Sequence, residues 1–209
     1  SICTGVRISK DFILTAGHCF RSKPRKFTVK YVNGKKIISA KVYFSKVIIK
    51  GKALSEELAI IPINPKDLAE GQSLGTLPIF PFETKSLSQK DSFSIAGFGI
   101  DTRGTVGYLK TGQVNFNREY LGSKGGAFKM ILVSPNKTKS FPCPGDSGGP
   151  IFTTKNGTKE LIGIVSFISS TNRKLSGHEA KDQCKYGNIA AYIPLNLHMS
   201  FLERYLDKK

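Results

Sequence analysis

Short apolar stretches recur along the chain and are separated by turn-forming residues. Their length and their content of β-forming residues are typical of strands. Many short strands at this spacing predict an all-β barrel or sandwich. The stretches that we predict as strands are Phe27 to Val32, Lys36 to Phe44, Leu58 to Ile63, Ser92 to Phe98, Gly112 to Phe116, Phe128 to Val133 and Leu161 to Phe167.

Three further patterns organise the chain. Asn33-Gly34 lies between the first two predicted strands and predicts a tight hairpin turn of the primed type. The segment from Ser73 to Lys90 is rich in Pro, Ser and Thr, which predicts an extended connection between a unit at 1–80 and a unit at 81–209. After Pro194 the apolar residues recur at helical spacing, which predicts an amphipathic C-terminal helix packed on the second unit. These residues are Leu197, Phe201, Leu202, Tyr205 and Leu206.

The composition is that of an ordinary globular protein, with 39% hydrophobic residues. No apolar run approaches the roughly 20 residues that span a bilayer. We therefore expect a soluble protein without a membrane span, and we expect it to be a monomer.

The cysteines and the start of the chain bear on its compartment. The sequence opens with Ser-Ile-Cys and shows no charged stretch followed by an apolar one, so we expect a processed or truncated chain. Four cysteines can form two pairs, and Asn136 and Asn156 each begin an Asn-x-Thr sequon. These features favour an oxidising compartment, so we predict a secreted, extracellular or periplasmic protein.

Basic residues outnumber acidic ones, 32 against 15, and give a formal net charge of +17. They cluster from Arg21 to Lys30, at Lys35 and Lys36, and at Lys208 and Lys209. Such a field attracts polyanions, and it also serves as a solvated surface. Gly-rich phosphate loops, zinc-finger spacings and aromatic-basic RNA motifs are absent, which argues against nucleic acid as the primary ligand.

Two short motifs carry the candidate chemistry. Thr15-Ala16-Gly17-His18-Cys19 places a histidine beside a cysteine at the end of an apolar run. Gly145-Asp146-Ser147-Gly148-Gly149-Pro150 places a serine among glycines, where backbone amides can converge beside its hydroxyl. A serine hydroxyl is a weak nucleophile until a neighbouring base takes its proton. Taken singly, the histidine also fits a structural role and the glycine-rich loop also fits a simple turn.

Together, in this order, the two motifs resemble those of the chymotrypsin/trypsin-like serine peptidase family, T-A-A-H-C and G-D-S-G-G-P. Gly97-Phe98-Gly99 is similar to the G-W-G of that family, and the segment from Gly163 to Phe167 is similar to its G-I-V-S-W strand. The resemblance implies an all-β fold of two six-stranded antiparallel barrels packed together, with a C-terminal α-helix and the active site between the barrels. It implies Ser147 as nucleophile and His18 as general base.

The third member of the catalytic triad departs from the family. The family pattern D-I-A-L aligns with the segment from Glu57 to Ile60, so the resemblance implies Glu57 in place of aspartate. A carboxylate is needed there to fix the imidazole tautomer and to stabilise the imidazolium. Glu56 is adjacent, but on a strand it points to the opposite face. An exposed pair of glutamates at a strand end remains the alternative.

The resemblance also assigns the surroundings of Ser147. It implies an oxyanion hole made by the backbone amides of Gly145 and Ser147. It implies a structural Asp146, which in the family pairs with a new N-terminal ammonium. The first strand and the I-V-G-G-like start of the family are not in this sequence, so either an upstream piece is lost or Asp146 has another partner. The implied disulfides are Cys3–Cys19 and Cys143–Cys184.

The specificity pocket departs from that of trypsin. Phe141 stands where trypsin has an aspartate, so no acid remains there to pair with Lys or Arg. We therefore expect preference for small or aliphatic side chains, with an acidic preference as the alternative because the segment from Ile168 to Gln183 carries Arg173, Lys174 and His178. The pocket residues that the resemblance implies are Phe141, Pro142, Ser166, Phe167, Ile168 and Ala190.

These residues predict a serine endopeptidase that acts on protein or peptide substrates through an acyl-enzyme and uses neither cofactor nor metal. The rival interpretation is a catalytically weak homologue that binds heparin-like polyanions. Glu57, Ile168 and the +17 charge favour the rival. Intact His18 and Ser147 favour the enzyme, because function is decided by the site rather than by the fold.

Overall fold

The computed structural model of the chain describes the residues at 2–20, 27–30, 36–39, 42–45, 47–49, 52–54, 57–64, 78–79, 87–122, 128–135, 140–169, 184 and 189–206.

The first half of the chain forms small antiparallel sheets. Four strands form one sheet in the order β1-β2-β8-β5, and two hairpins pair β3 with β4 and β6 with β7. Apolar residues buried on this sheet include Leu14, Leu58 and Ile60, each 0% exposed. The strands are β1 Gly5–Arg7, β2 Phe12–Ala16, β3 Phe27–Lys30, β4 Lys36–Ser39, β5 Tyr43–Phe44, β6 Val47–Ile49, β7 Lys52–Leu54 and β8 Leu58–Pro62.

The second half closes into a six-stranded antiparallel barrel. Its order is β10-β11-β14-β13-β12-β9, and alternate apolar residues such as Phe93, Ile95 and Val114 fill its interior. The strands are β9 Ser92–Gly97, β10 Lys110–Gly122, β11 Phe128–Pro135, β12 Pro150–Lys155, β13 Thr158–Ser169 and β14 Ile189–Pro194. The all-β prediction and the closed second barrel are thus confirmed.

Each predicted strand overlaps a strand of the structure, although the bounds of the two differ. The stretch from Lys36 to Phe44 is divided into β4 and β5. The Asn33-Gly34 turn lies outside the described residues, although Lys30 and Lys36 face each other across the β3–β4 pair. Most of the Ser73–Lys90 connection also lies outside them, so the division at residue 80 stays a prediction.

The C-terminal segment is helical but shorter than the spacing predicts. A 3-10 turn, Leu195–His198, leads into one α-helical turn, α1 Met199–Leu202. The helix packs on the second unit, as predicted, and on the first half as well. Leu202 lies in a core shared with residues of both halves, and the Tyr205 ring lies 5.1 Å from that of Phe12. Within the described residues, no helix has the length and apolar character needed to cross a membrane.

Candidate active site

His18 is held at the end of β2, where the chain turns into the 3-10 helix Gly17–Phe20. The Gly17 amide donates to the Glu57 carbonyl at 2.8 Å, which ties this turn to the start of β8. Cys19 is bonded to Cys3, with the two Cα atoms 6.3 Å apart, as the resemblance implies. One ring nitrogen of His18 lies within 4.8 Å of both sulfurs, and these sulfurs offer no thiolate to a metal because they are bonded to each other.

The Ser147 loop is a tight turn that requires glycine. Gly145 has φ +95° and Gly148 has φ +83°, both in the left-handed region. A Cβ on Gly148 would lie 2.0 Å from Thr15 Oγ1 and 2.7 Å from the Ala16 nitrogen. The loop therefore packs directly against the strand that leads to His18.

The backbone amides around Ser147 divide into two groups. Those of Asp146, Gly148 and Gly149 donate to carbonyls of the protein at 2.8–2.9 Å. In the described part of the chain, the amides of Gly145 and Ser147 donate to no protein acceptor. Two unengaged amides beside a serine hydroxyl can stabilise an oxyanion that develops on a substrate carbonyl.

Thr4 joins the two halves of the site, and sequence reasoning missed it. Its amide donates to the Ser147 carbonyl at 2.8 Å, and its hydroxyl donates to the Gly145 carbonyl at 3.0 Å. The Phe98 amide donates to the same hydroxyl at 3.0 Å, and the Thr15 hydroxyl donates to the Thr4 carbonyl at 2.6 Å. Thr4 is 3% exposed, so these bonds are shielded from water.

The structure brings the histidine and serine segments together and places Glu57 beside the first. Cys19 Sγ lies 3.9 Å from the Ser147 carbonyl oxygen. Glu57 is half-buried, and Leu58 next to it pairs with Ala16 across the β2–β8 ladder. Glu56 lies outside the described residues. Glu57 is therefore the described carboxylate whose backbone adjoins the His18 turn.

Asp146 is buried under the Ser147 loop. Its Oδ1 accepts the Gly99 amide at 2.7 Å, and its Oδ2 accepts the Cys143 amide at 2.8 Å. Burial raises the pKa of this carboxyl, and the two amides and the positive charge of Lys110 oppose that rise. Asp146 therefore has partners within the described chain.

The candidate pocket residues are spread around the end of the barrel. Phe141 and Pro142 line a cavity of about 350 Å³ beside the Cys143–Cys184 disulfide, whose Cα atoms lie 4.7 Å apart. Phe141 and Ile168 also pack against the barrel core. Ile168 faces the fully buried Ala190 across the β13–β14 pair.

Two neighbouring pocket residues differ in exposure. Ser166 is buried and falls at an irregularity in the β13–β14 register. Phe167 is 42% exposed and does not line the cavity. The structure thus places two of the six candidate residues on one cavity wall.

Comparisons with known proteins agree with this geometry. The family model for trypsin matches residues 1–182. The chain is 25% identical over 201 residues to the urokinase-type plasminogen activator of Gallus gallus, covering 83% of this chain and 46% of that protein. It is 25% identical over 216 residues to chymotrypsin-like elastase family member 1 of Rattus norvegicus, covering 91% and 76%. It is 24% identical over 186 residues to granzyme M of Homo sapiens, covering 80% and 69%.

Some of these relatives are much longer than the matched region. The chain spans less than half of the urokinase-type activator. It spans 30% of the hepatocyte growth factor activator serine proteases of Canis lupus familiaris, with 26% identity over 196 residues, or 83% of this chain. The similarity to these proteins is therefore a similarity to one part of each.

Proposed function

The chain belongs to the trypsin family, and from this premise we propose that it is a secreted serine endopeptidase that forms an acyl-enzyme on Ser147. The observation that carries the proposal is a pair of amides, those of Gly145 and Ser147, that donate to no acceptor among the described residues and lie beside a serine whose loop contacts the histidine segment.

The proposed reaction begins with proton transfer. His18 takes the Ser147 hydroxyl proton as the oxygen attacks the peptide carbonyl carbon, and the carbonyl oxygen gains the charge that the two amides stabilise. Imidazolium then gives the proton to the leaving amine as the C–N bond breaks. Water, deprotonated by the same imidazole, hydrolyses the ester and restores Ser147.

Glu57 is the proposed orienting carboxylate for His18. Its support is its position, since its carbonyl accepts the Gly17 amide at 2.8 Å, one residue from His18. A carboxylate in this role fixes the imidazole tautomer and stabilises the imidazolium, and it does not itself become protonated.

Small or aliphatic side chains are the proposed preference before the cleaved bond. Phe141 has an apolar ring that packs against the barrel core. This residue supplies no carboxylate, so the buried charge of an Arg or Lys side chain of a substrate would stay unpaired there. Cleavage of substrates with Ala, Val or Leu should therefore exceed cleavage after Arg or Lys.

Secretion is proposed from the two disulfides, which persist in oxidising compartments. Polyanion binding through the +17 charge is a second proposed property. The run from Arg21 to Lys36 lies largely outside the described residues. Retention on heparin that is lost at moderate salt, in the active protein and in Ser147→Ala alike, would mark this binding as a nonspecific charge effect separate from catalysis.

Hydrolysis of a peptide panel tests the function. Ser147→Ala and His18→Ala should each abolish turnover, and the double variant should be no slower, because both residues belong to one proton-transfer unit. Ser92→Ala, which removes an exposed serine at the start of β9, is the matched control. Normal turnover by either single variant would overturn the proposal.

A further inference from the structure

Asp146 is an acidic residue in a buried position, and burial disfavours its ionised form. The residue is 7% exposed, and its oxygens accept two backbone amides, those of Gly99 and Cys143. Amides supply partial charge only, and a buried carboxylate without a cation nearby is costly. An ionised Asp146 therefore requires a positive charge nearby.

Lys110 lines the same cavity as Asp146. It is the first residue of β10 and faces Gly97 of β9 across the ladder. Its ammonium donates to the Gly99 carbonyl, and to the Tyr108 carbonyl at 3.2 Å. Lys110 and Asp146 line one cavity of about 350 Å³.

Gly99 bridges the cation and the anion. Its amide donates to Asp146 Oδ1 at 2.7 Å, and its carbonyl accepts the Lys110 ammonium. A Cβ on Gly99 would lie 2.7 Å from the Asp146 nitrogen and from Oδ1, so the two segments touch with no room for a side chain. A Cβ on Gly97 would lie 2.0 Å from the same oxygen. The carboxylate is thus wedged against backbone that Lys110 holds.

The other titratable groups at this cavity do not supply the positive charge. Tyr192 is fully buried, and burial followed by the charge of Asp146 raises the pKa of its hydroxyl well above 10, so it stays neutral. Asp101 is acidic and pairs with Arg103 at 3.2 Å. Among the described residues, Lys110 is the cation whose charge lowers the pKa of Asp146.

We infer that Lys110 is a positioning residue for the oxyanion site: its ammonium neutralises Asp146 across the Gly99 bridge and so keeps the Gly145 and Ser147 amides aimed at the substrate carbonyl. Asp146 lies between these two residues in the chain, and its carboxylate is held by the Gly99 and Cys143 amides. The Ser147 amide belongs to the peptide that follows Asp146, and the Gly145 amide lies one peptide before the one that precedes it, so anchoring Asp146 restricts the backbone that carries both. The catalytic half of this inference rests on the proposed function, whereas its electrostatic half does not.

Three variants of Lys110 separate charge from hydrogen bonding. Lys110→Met removes both, Lys110→Gln keeps an amide donor without the charge, and Lys110→Arg keeps the charge. Lys90→Met, at an exposed turn before β9, is the matched control. For a peptide substrate, we expect Lys110→Met and Lys110→Gln to lower kcat about 10- to 100-fold with little change in KM, because the loss of a supporting residue around a reactive site has effects of this size. Lys110→Arg should retain most of the activity, because it keeps the positive charge.

The second readout needs no hydrolysis. In a Ser147→Ala background, ¹³C NMR of the aspartate carboxyls, assigned with Asp146→Asn, reports the titration of Asp146 directly. Without the Lys110 charge, Asp146 should titrate at a higher pH than in the reference, and Lys90→Met should leave it unchanged.

Peptide hydrolysis and the Asp146 titration together distinguish failure of the proposed function from failure of the inference about Lys110. If the unsubstituted chain neither hydrolyses peptides nor reacts with a fluorophosphonate, the proposed function fails and the Asp146 titration alone decides the inference. An unshifted titration in both neutral variants overturns it. Full activity of folded Lys110→Gln also overturns the inference. If Lys110→Met does not fold, Lys110→Gln replaces it in both measurements.

Discussion

The amide of Thr4 donates to the carbonyl of Ser147 at 2.8 Å, although the two residues lie far apart in the chain. This bond and the bond from the Thr4 hydroxyl to the Gly145 carbonyl hold the serine loop against Thr4. Cys3, next to Thr4 in the chain, is bonded to Cys19, which follows His18. These two bonds of Thr4 fix the Gly145–Asp146 and Ser147–Gly148 peptides, which lie on either side of the peptide that carries the Ser147 amide. Thr4 therefore links the segment of the proposed nucleophile to the segment of the proposed base, with no part of its own in the proposed proton transfer.

Thr4→Val tests this link. The substitution keeps the shape and removes the hydroxyl, which leaves the Gly145 carbonyl and the Phe98 amide without that partner. We expect the free energy of unfolding, from urea titration, to fall by about 1–3 kcal/mol, and kcat to fall with it. Thr154→Val, at an exposed position of β12, should change stability by no more than about 0.5 kcal/mol. Equal stabilities of the two variants would remove Thr4 from this role.

Gly148 and Gly157 form a matched pair for separating backbone strain from crowding. Their φ angles are +83° and +77°, but a Cβ on Gly148 would lie 2.0 Å from Thr15 Oγ1, whereas nothing lies within 4 Å of one on Gly157. Gly157→Ala should cost about 1–2 kcal/mol from the left-handed conformation alone. Gly148→Ala should cost about 1–3 kcal/mol more and should abolish activity. Similar losses in thermal unfolding would show that the loop does not pack as described.

His198 gives the fold a pH dependence. It is 3% exposed, and burial lowers its pKa from 6.5 to about 4. Because the unfolded chain binds the proton more readily, its contribution to stability is full above pH 6.5 and is lost as pH falls toward 4. The loss is of order 3 kcal/mol.

The variant His198→Gln should flatten this part of the curve of unfolding free energy against pH. Asp146, whose folded pKa is raised, acts with the opposite sign, so the difference between the two proteins is the quantity to compare. An identical pH dependence with and without His198 would contradict the assignment.

Glu57→Gln tests the proposed third catalytic residue. An amide in place of the carboxylate would favour the wrong imidazole tautomer, so kcat should fall by a factor of order 10⁴ with little change in KM. Glu56→Gln should do little, and Glu203→Gln, at an exposed C-terminal position, should do nothing. An unaffected kcat in Glu57→Gln would move the orienting acid to another residue.

Both disulfides were predictable from the sequence because their motifs closely resemble a family pattern. The same local motifs single out His18 and Ser147, whose catalytic roles stay predictions. Thr4 and Lys110 carry no such signal, since the role of each arises from contacts with residues far along the chain, such as Gly145 for Thr4. The strand β12 is absent from the strands predicted from the sequence. It begins at Pro150, and proline disfavours strands in general although it is tolerated as the first residue of one. In β14 two alanines weaken the strand pattern, and burial in the barrel overrides it.

The most direct measurement is the reaction of the purified chain with a fluorophosphonate, followed by intact mass and peptide mapping. An activated serine reacts rapidly, whereas an ordinary hydroxyl does not. We expect one adduct, on Ser147, with no adduct in Ser147→Ala and a rate at least about 100-fold lower in His18→Ala. Absence of an adduct in the folded, disulfide-bonded chain, or labelling that persists in Ser147→Ala, would contradict the account.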